Sequence, residues 1–192
     1  ASQAKGDPMA QQTVGQEYVN AARLEKKMAE TGVDATIAVS PENTYYLSGV
    51  FIRTQISVRD RLALVVWPQS GEPTYIVCNI EESLARAQSP IKDIRTYVEF
   101  AESPVTTLAQ VLREKGLANK KLGVEERFLT ASYYHELQRL VPQARLVAVD
   151  EAVESVRAVK TPAEIDRIVN AYLKTEKVIN DAWGASRLGD SE

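Results

Sequence analysis

Apolar residues at Val14, Tyr18, Ala21, Leu24 and Met28 recur at helical spacing. They predict a first helix over 14–31, stopped by Gly32. The stretch 35–40 reads as a strand that ends at Pro41. Residues 62–67 are apolar at every position, which predicts a central strand buried on both faces. Pro68-Gln69-Ser70-Gly71-Glu72 is a turn, and 73–78 is the next strand. So short a link makes these two strands an antiparallel hairpin.

The pattern then alternates. Residues 80–88 read as helical and 94–100 as a strand. Ser103-Pro104 opens a helix as cap and first-turn proline, with Val105, Leu108 and Leu112 on one face and Gly116 at its end. A short strand follows at 121–124. A helix at 131–141 turns Tyr134, Leu137 and Val141 inward, and 145–149 is the last strand. Asp150 is placed to cap a short helix holding Val153 and Val156. Short links give antiparallel neighbours and helical crossovers give parallel ones. The expected fold class is therefore α/β: a mixed sheet flanked by helices.

The C-terminal stretch differs. Thr161-Pro162-Ala163-Glu164 is a capping box with proline at the first helical position. The helix behind it carries Ile165, Ile168, Tyr172, Ile179 and Trp183 along one stripe, with Leu173 and Val178 off it. So wide an apolar surface calls for a partner.

Composition sets limits. The 192 residues hold 44% hydrophobic and 26% charged residues, an ordinary balance for a folded domain. A net charge of −3 gives no reason to seek nucleic acid or an anionic membrane. No apolar run reaches the length of a membrane span. The single cysteine, Cys78, sits in a core strand and excludes an internal disulfide, which fits a reducing, cytoplasmic setting. Residues 1–13 read as a tail, of which the first eight are either a cloning remnant or native.

Candidate chemistry is sparse. His135 lies mid-helix and reads as a surface residue. Glu81-Glu82, Glu125-Glu126 and Asp150-Glu151 stand at strand ends or helix starts, where carboxylates are ordinary caps or solvated charges. A nuclease needs acids clustered on adjacent strands, and the central strand has none. No glycine-rich phosphate loop is present.

Two segments carry a resemblance. Pro41-Glu42-Asn43-Thr44-Tyr45-Tyr46-Leu47-Ser48-Gly49-Val50 resembles the segment of creatinase-type N-terminal domains in which an asparagine precedes Tyr-Leu-Ser/Thr-Gly. Val156-Arg157-Ala158-Val159-Lys160-Thr161-Pro162-Ala163-Glu164-Ile165 resembles the Arg-x-x-Lys-Ser/Thr-Pro-x-Glu-Ile signature at the junction with the catalytic "pita-bread" domain of the creatinase/prolidase/aminopeptidase P metallopeptidases. The resemblance spans roughly 14–183. It implies a ribonuclease H-like N-terminal domain over 14–155, and over 156–192 the junction and first helix of a truncated catalytic domain.

The full-length parent is then expected to be a Xaa-Pro metallopeptidase. It would hold two divalent metal ions (Mn, Co or Zn) through two aspartates, one histidine and two glutamates. No residue of this chain matches those positions, so no catalytic residue, metal ligand or cofactor is assigned to it. The expected partners are the missing catalytic domain and a second copy in a homodimer, with no nucleic acid and no membrane. The domain's expected roles are oligomerisation and shaping a neighbouring subunit's substrate pocket. In creatinase-like relatives a phenylalanine and an arginine after the first segment help bind substrate. Phe51, Arg53, Arg59 and Arg61 occupy the corresponding loop, where an arginine fork suits a carboxylate. The same residues also read as a solvated basic loop. A creatinase-like domain for small molecules, and a peptidase-like binding module without catalysis, as in some histone-chaperone subunits, remain as alternatives.

Overall fold

A computed structural model describes residues 19–58, 60–187 and 189. The first helix, α1 (Ala21–Thr31), starts later than its apolar spacing suggests. The Asn20 side chain accepts from Arg23 N at 3.1 Å and caps it, and Gly32 closes it at φ 66°. The predicted turns at 14–18, and the tail at 1–13, lie outside the described residues. Strand β1 (Ala35–Ala38) leads into two helices that the strand-by-strand reading passes over, α2 (Pro41–Ser48) and α3 (Arg53–Ser57). The signals for α2 are nonetheless local. Ser40 accepts from Asn43 N, Pro41 takes the first turn, and Gly49 caps at φ 71°. The aromatic and β-branched run of Thr44, Tyr45 and Tyr46 masks them, because such residues disfavour helix on propensity alone.

The remaining elements alternate. They are β2 (Leu64–Pro68), β3 (Thr74–Cys78), a 3-10 turn (Asn79–Glu81), α4 (Glu82–Gln88), β4 (Asp93–Tyr97) and α5 (Pro104–Glu114). Then come β5 (Lys121–Val124), α6 (Ala131–Leu140), β6 (Arg145–Ala148), α7 (Asp150–Ala158) and α8 (Pro162–Ala185). One six-stranded sheet results, in the order β4-β3-β2-β1-β5-β6. β2 pairs antiparallel with both β1 and β3, while β3–β4, β1–β5 and β5–β6 are parallel. The mixed sheet flanked by helices stands as expected.

Period-2 alternation divides the core into two layers. Ile37, Leu64, Val66 and Leu122 face one layer with Leu108 and Leu112 of α5 and Leu137 of α6. Ala38, Val65, Trp67 and Tyr75 face the other with Leu24 and Met28 of α1, Leu47 of α2 and Val153 and Val156 of α7. Each fully buried aliphatic side chain contributes about 1.5–3 kcal/mol. Cys78 is buried in the first layer. Gly123 lets β5 and the start of α7 approach, because a Cβ there would sit 2.4 Å from Val149 Cγ1.

Asp150 departs from its expected role. It does not cap α7; its carboxylate accepts from Glu126 N at 3.1 Å and Arg127 N at 3.2 Å, tying α7 to the turn after β5. The capping box opens α8: Thr161 and Glu164 exchange side-chain-to-backbone bonds of 3.2 and 2.8 Å. Among the described residues no helix is long and apolar enough to cross a membrane.

Candidate functional site

The loop candidates are divided by the fold. Phe51 is 48% exposed and meets Tyr45 edge-on, with centroids 5.8 Å apart at 75°. Arg53 opens α3 and is exposed. The two share one corner, where α2 hands over to α3. Arg59 lies outside the described residues. Arg61 is already engaged: its Nε donates to Glu99 Oε1 at 2.7 Å, and Nη2 pairs with the same oxygen. That carboxylate raises the Arg61 pKa and fastens the loop to the turn after β4. What holds α3 in place is Gln55, which is buried. Its Nε2 donates to the carbonyls of Val39 and Ala63, and its Oε1 accepts from Thr44 Oγ1.

The densest polar cluster lies at the far end of β1 and β5. Glu125 follows β5 directly and is only 3% exposed. It is no solvated cap, contrary to the sequence expectation. Its Oε2 accepts from the backbone N–H groups of Val39 and Ser40, the latter at 2.9 Å. Its Oε1 accepts from Ser40 Oγ at 2.7 Å and from Asn43 Nδ2. A buried carboxylate persists only when donors replace its water, and this one has four. The other end of the Asn43 amide accepts from Arg157 Nη1 at 2.8 Å. Asn43 therefore relays between an acid on the sheet and a cation at the end of α7. Lys160 Nζ then donates to the Arg157 carbonyl at 2.6 Å, just before the capping box.

The two segments singled out in the sequence thus meet in space through one hydrogen bond between Asn43 and Arg157. The bond closes a cleft of about 450 Å³ whose walls include Glu42, Arg127, Phe128 and Glu154. A second groove, of about 330 Å³, runs between α2 and the start of α8, past Tyr45, Tyr46 and Ile168. The Tyr46 hydroxyl accepts from Asn20 N at 2.8 Å, and burial raises its pKa. Beyond this groove α8 leaves the body. Every residue from Ile165 to Arg187 is exposed, including Tyr172 at 67% and Trp183 at 79%.

Sequence reasoning missed Glu125 and did not connect Asn43 with Arg157. The available signal was an acid immediately after a short strand whose last three residues, Leu122, Gly123 and Val124, are buried, where a parallel neighbour ends in helix-opening N–H groups. As for metal, no group of three or more potential ligands is found among the described residues. The two buried acids, Glu125 and Asp150, are both occupied by N–H or O–H donors. Neither buried acid among the described residues is therefore free to hold a metal ion. His135 is exposed and contacts Gln138 at 3.3 Å.

Comparisons with known proteins agree with this geometry. A creatinase from Bacillus sp. (strain B-0618) is 31% identical over 149 residues, which is 77% of this chain and 35% of the relative. An uncharacterised peptidase of Bacillus subtilis (strain 168) is 24% identical over 161 residues, 40% of its length. The chain thus spans less than half the length of these curated relatives. A proline dipeptidase structure from Streptococcus pneumoniae TIGR4 superposes with a TM-score of 0.63 at 19% identity, over 74% of this chain and 99% of that one. The N-terminal domain of cytoplasmic peptidase PepQ from Mycobacterium tuberculosis H37Rv gives 0.57 at 22% identity, over 70% of this chain and 95% of that one. An X-Pro aminopeptidase from Thermotoga maritima MSB8 gives 0.70 at 16% identity, over 87% of this chain and 45% of that one. The family model for the creatinase/prolidase N-terminal domain matches residues 21–159, from the first residue of α1 to the end of α7, and the chain belongs to that family.

Proposed function

We infer that this chain is the non-catalytic N-terminal domain of a metal-dependent Xaa-Pro peptidase, and that it acts by aiming and supporting the catalytic domain. The observation that carries this reading is the Asn43–Arg157 hydrogen bond at the root of α8. It ties the helix that exits the domain to the buried end of the sheet. A rigid root matters, because a misplacement of about 1 Å at a distance from the chemistry costs on the order of 100-fold in rate. The family match stops at Val159, one residue before Lys160 and the capping box, which supports a domain boundary there. The overlap is wider with the longer Thermotoga chain than with the domain-length Streptococcus chain, which supports α8 as the first element of the next domain.

In this reading the apolar stripe of α8 is covered by the catalytic domain, and two divalent metal ions belong to that domain. A second copy completes a homodimer, and the corner of Phe51 and Arg53 borders a neighbouring subunit's pocket. A buried lone cysteine and the likeness to the PepQ domain support a cytoplasmic parent. A second reading, a creatinase-like parent acting on a small molecule, is favoured by the 31% identity to the Bacillus creatinase.

The test of the non-catalytic assignment is direct. The purified chain, incubated with an Xaa-Pro dipeptide and Mn²⁺ or Co²⁺, is expected to release no product. Metal-dependent turnover by the chain alone would overturn the assignment.

A further inference from the structure

Five of the six strands run one way, and β2 alone runs against them. From β1 the chain builds β2, β3 and β4 on one side, then returns to place β5 and β6 on the other. β1 and β5 are thus parallel neighbours, and the helices that follow them pack on opposite faces: Leu47 of α2 in one core layer, Leu137 of α6 in the other. In α/β sheets such a switch point opens a crevice beyond the carboxyl ends of the strands, and ligands bind there. The cleft of about 450 Å³ beside Asn43 occupies this place: Ser40 follows β1, Phe128 lies in the turn after β5, and Arg157 stands in the last turn of α7. Its volume falls in the range of about 300–1,000 Å³ typical of small-molecule sites.

The groups around the cleft select the ligand. Where a phosphate would meet the N–H groups of Val39 and Ser40, the chain places its own Glu125 carboxylate. That excludes a phosphorylated ligand. Arg127 is engaged by Glu151 and Glu154, and Asp150 by two backbone N–H groups. Three ionic side chains of the lining are left: Glu42 on α2, Arg157 on α7, and Lys160 just after it. Among the described residues none of the three forms an ion pair. Arg157 gives one N–H to Asn43 and Lys160 gives one to the Arg157 carbonyl, so both keep donors to spare. The exposed ring of Phe128 adds an apolar wall.

We propose that this cleft binds a small zwitterion with an apolar body, a free amino acid or a dipeptide. Its ammonium sits at Glu42, its carboxylate at Arg157 and Lys160, and its apolar part on Phe128. A simple anion would be set against Glu42, and a simple cation against the two bases. A molecule carrying both charges answers all three groups with charge-assisted hydrogen bonds. The site goes beyond the peptidase reading and does not depend on it, although the products of peptide hydrolysis belong to this class. Because Arg157 and Lys160 stand at the root of α8, an occupied cleft also stiffens that root.

The experiment is calorimetric titration of the full 192-residue chain with L-proline and with the dipeptide Leu-Pro. N-acetyl-L-proline and L-prolinamide, which lack the ammonium and the carboxylate respectively, are titrated beside them. The expected result is one saturable site for a zwitterion, with the tighter of the two naming the source, and both blocked analogues weaker by about tenfold or more. Glu42 and Lys160 are exposed, so their variants should fold, as circular dichroism would show. Glu42→Gln is expected to weaken proline and leave N-acetylproline unchanged. Lys160→Gln is expected to weaken proline and leave prolinamide unchanged. Bound ligand is expected to slow amide exchange over 158–164. If neither zwitterion binds saturably, the proposal falls and the peptidase reading stands. Binding that both variants leave intact overturns the site, and blocked analogues that bind as tightly overturn the ligand class. Binding without slower exchange overturns the link to α8. Should a variant fail to fold, the analogue series on the wild type decides.

Discussion

Glu125 shows how much a single position can be asked to do. Four donors from three residues converge on its carboxylate, and a fifth group, Arg157, is reached through Asn43. Removing such an acceptor leaves buried N–H groups unpaired, a loss of about 3 kcal/mol. For a domain of this size Glu125→Ala should lower the midpoint of thermal unfolding by about 6–12 °C. Arg157→Ala, at a half-buried site, should cost far less and instead speed amide exchange around 158–164. Equal losses of stability in the two variants would contradict the relay.

Asp93 supplies a pH dependence. Burial works to raise its pKa, but hydrogen bonds from Arg95 and Thr74 outweigh this and hold the carboxyl below the ordinary range. A depressed folded-state value means that the stabilisation is fully present above the unfolded value, near 3.9, and is lost as pH falls through the folded one. Wild type and Asp93→Asn should therefore differ in thermal midpoint at neutral pH, and the difference should shrink as pH falls below about 4 towards the depressed folded value. A constant difference across that window would show that the charge is not what Asp93 contributes.

At the scale of elements, α5 and α8 make opposite cases. Both begin with a capping residue followed by proline, and both were legible in the sequence from that signal and their apolar spacing. Val105, Leu108 and Leu112 of α5 are fully buried, whereas Ile165, Ile168 and Tyr172 of α8 are about half or more exposed. Most helical stability in proteins comes from packing of the apolar face. In the monomeric chain, amides of α8 beyond its first turn should exchange much faster than those of α5. Equal protection would mean that α8 is covered in a way this structure does not show.

The elements that escaped the sequence were α2 and α3, and the reasons are physical. In α2, helix-opening signals compete with an aromatic and β-branched run, and burial against β1 and β2 settles the contest. α3, at five residues, has too few positions to show a period, and it is fixed by Gln55 bonding to carbonyls of Val39 and Ala63. Among the loop candidates, the engagement of Arg61 by Glu99 was invisible because the partners lie 38 positions apart. The 114-position span from Asn43 to Arg157 hid the relay in the same way, although both residues stood inside recognised segments.

Taken as a whole molecule, the chain is a three-layer domain with a well-packed body and one exposed helix. Among the described residues, the buried acids Glu125 and Asp150 hold elements together. The Phe51 corner and the α8 stripe are exposed. On the reading proposed above the chemistry belongs to a longer parent protein, and that is where the account is most exposed. The decisive measurement is hydrolysis of an Xaa-Pro dipeptide by the purified parent protein, with Mn²⁺ supplied and then removed by a chelator. The account predicts turnover that disappears on chelation and returns with metal. A folded, metal-supplied parent that cleaves no Xaa-Pro bond would contradict it.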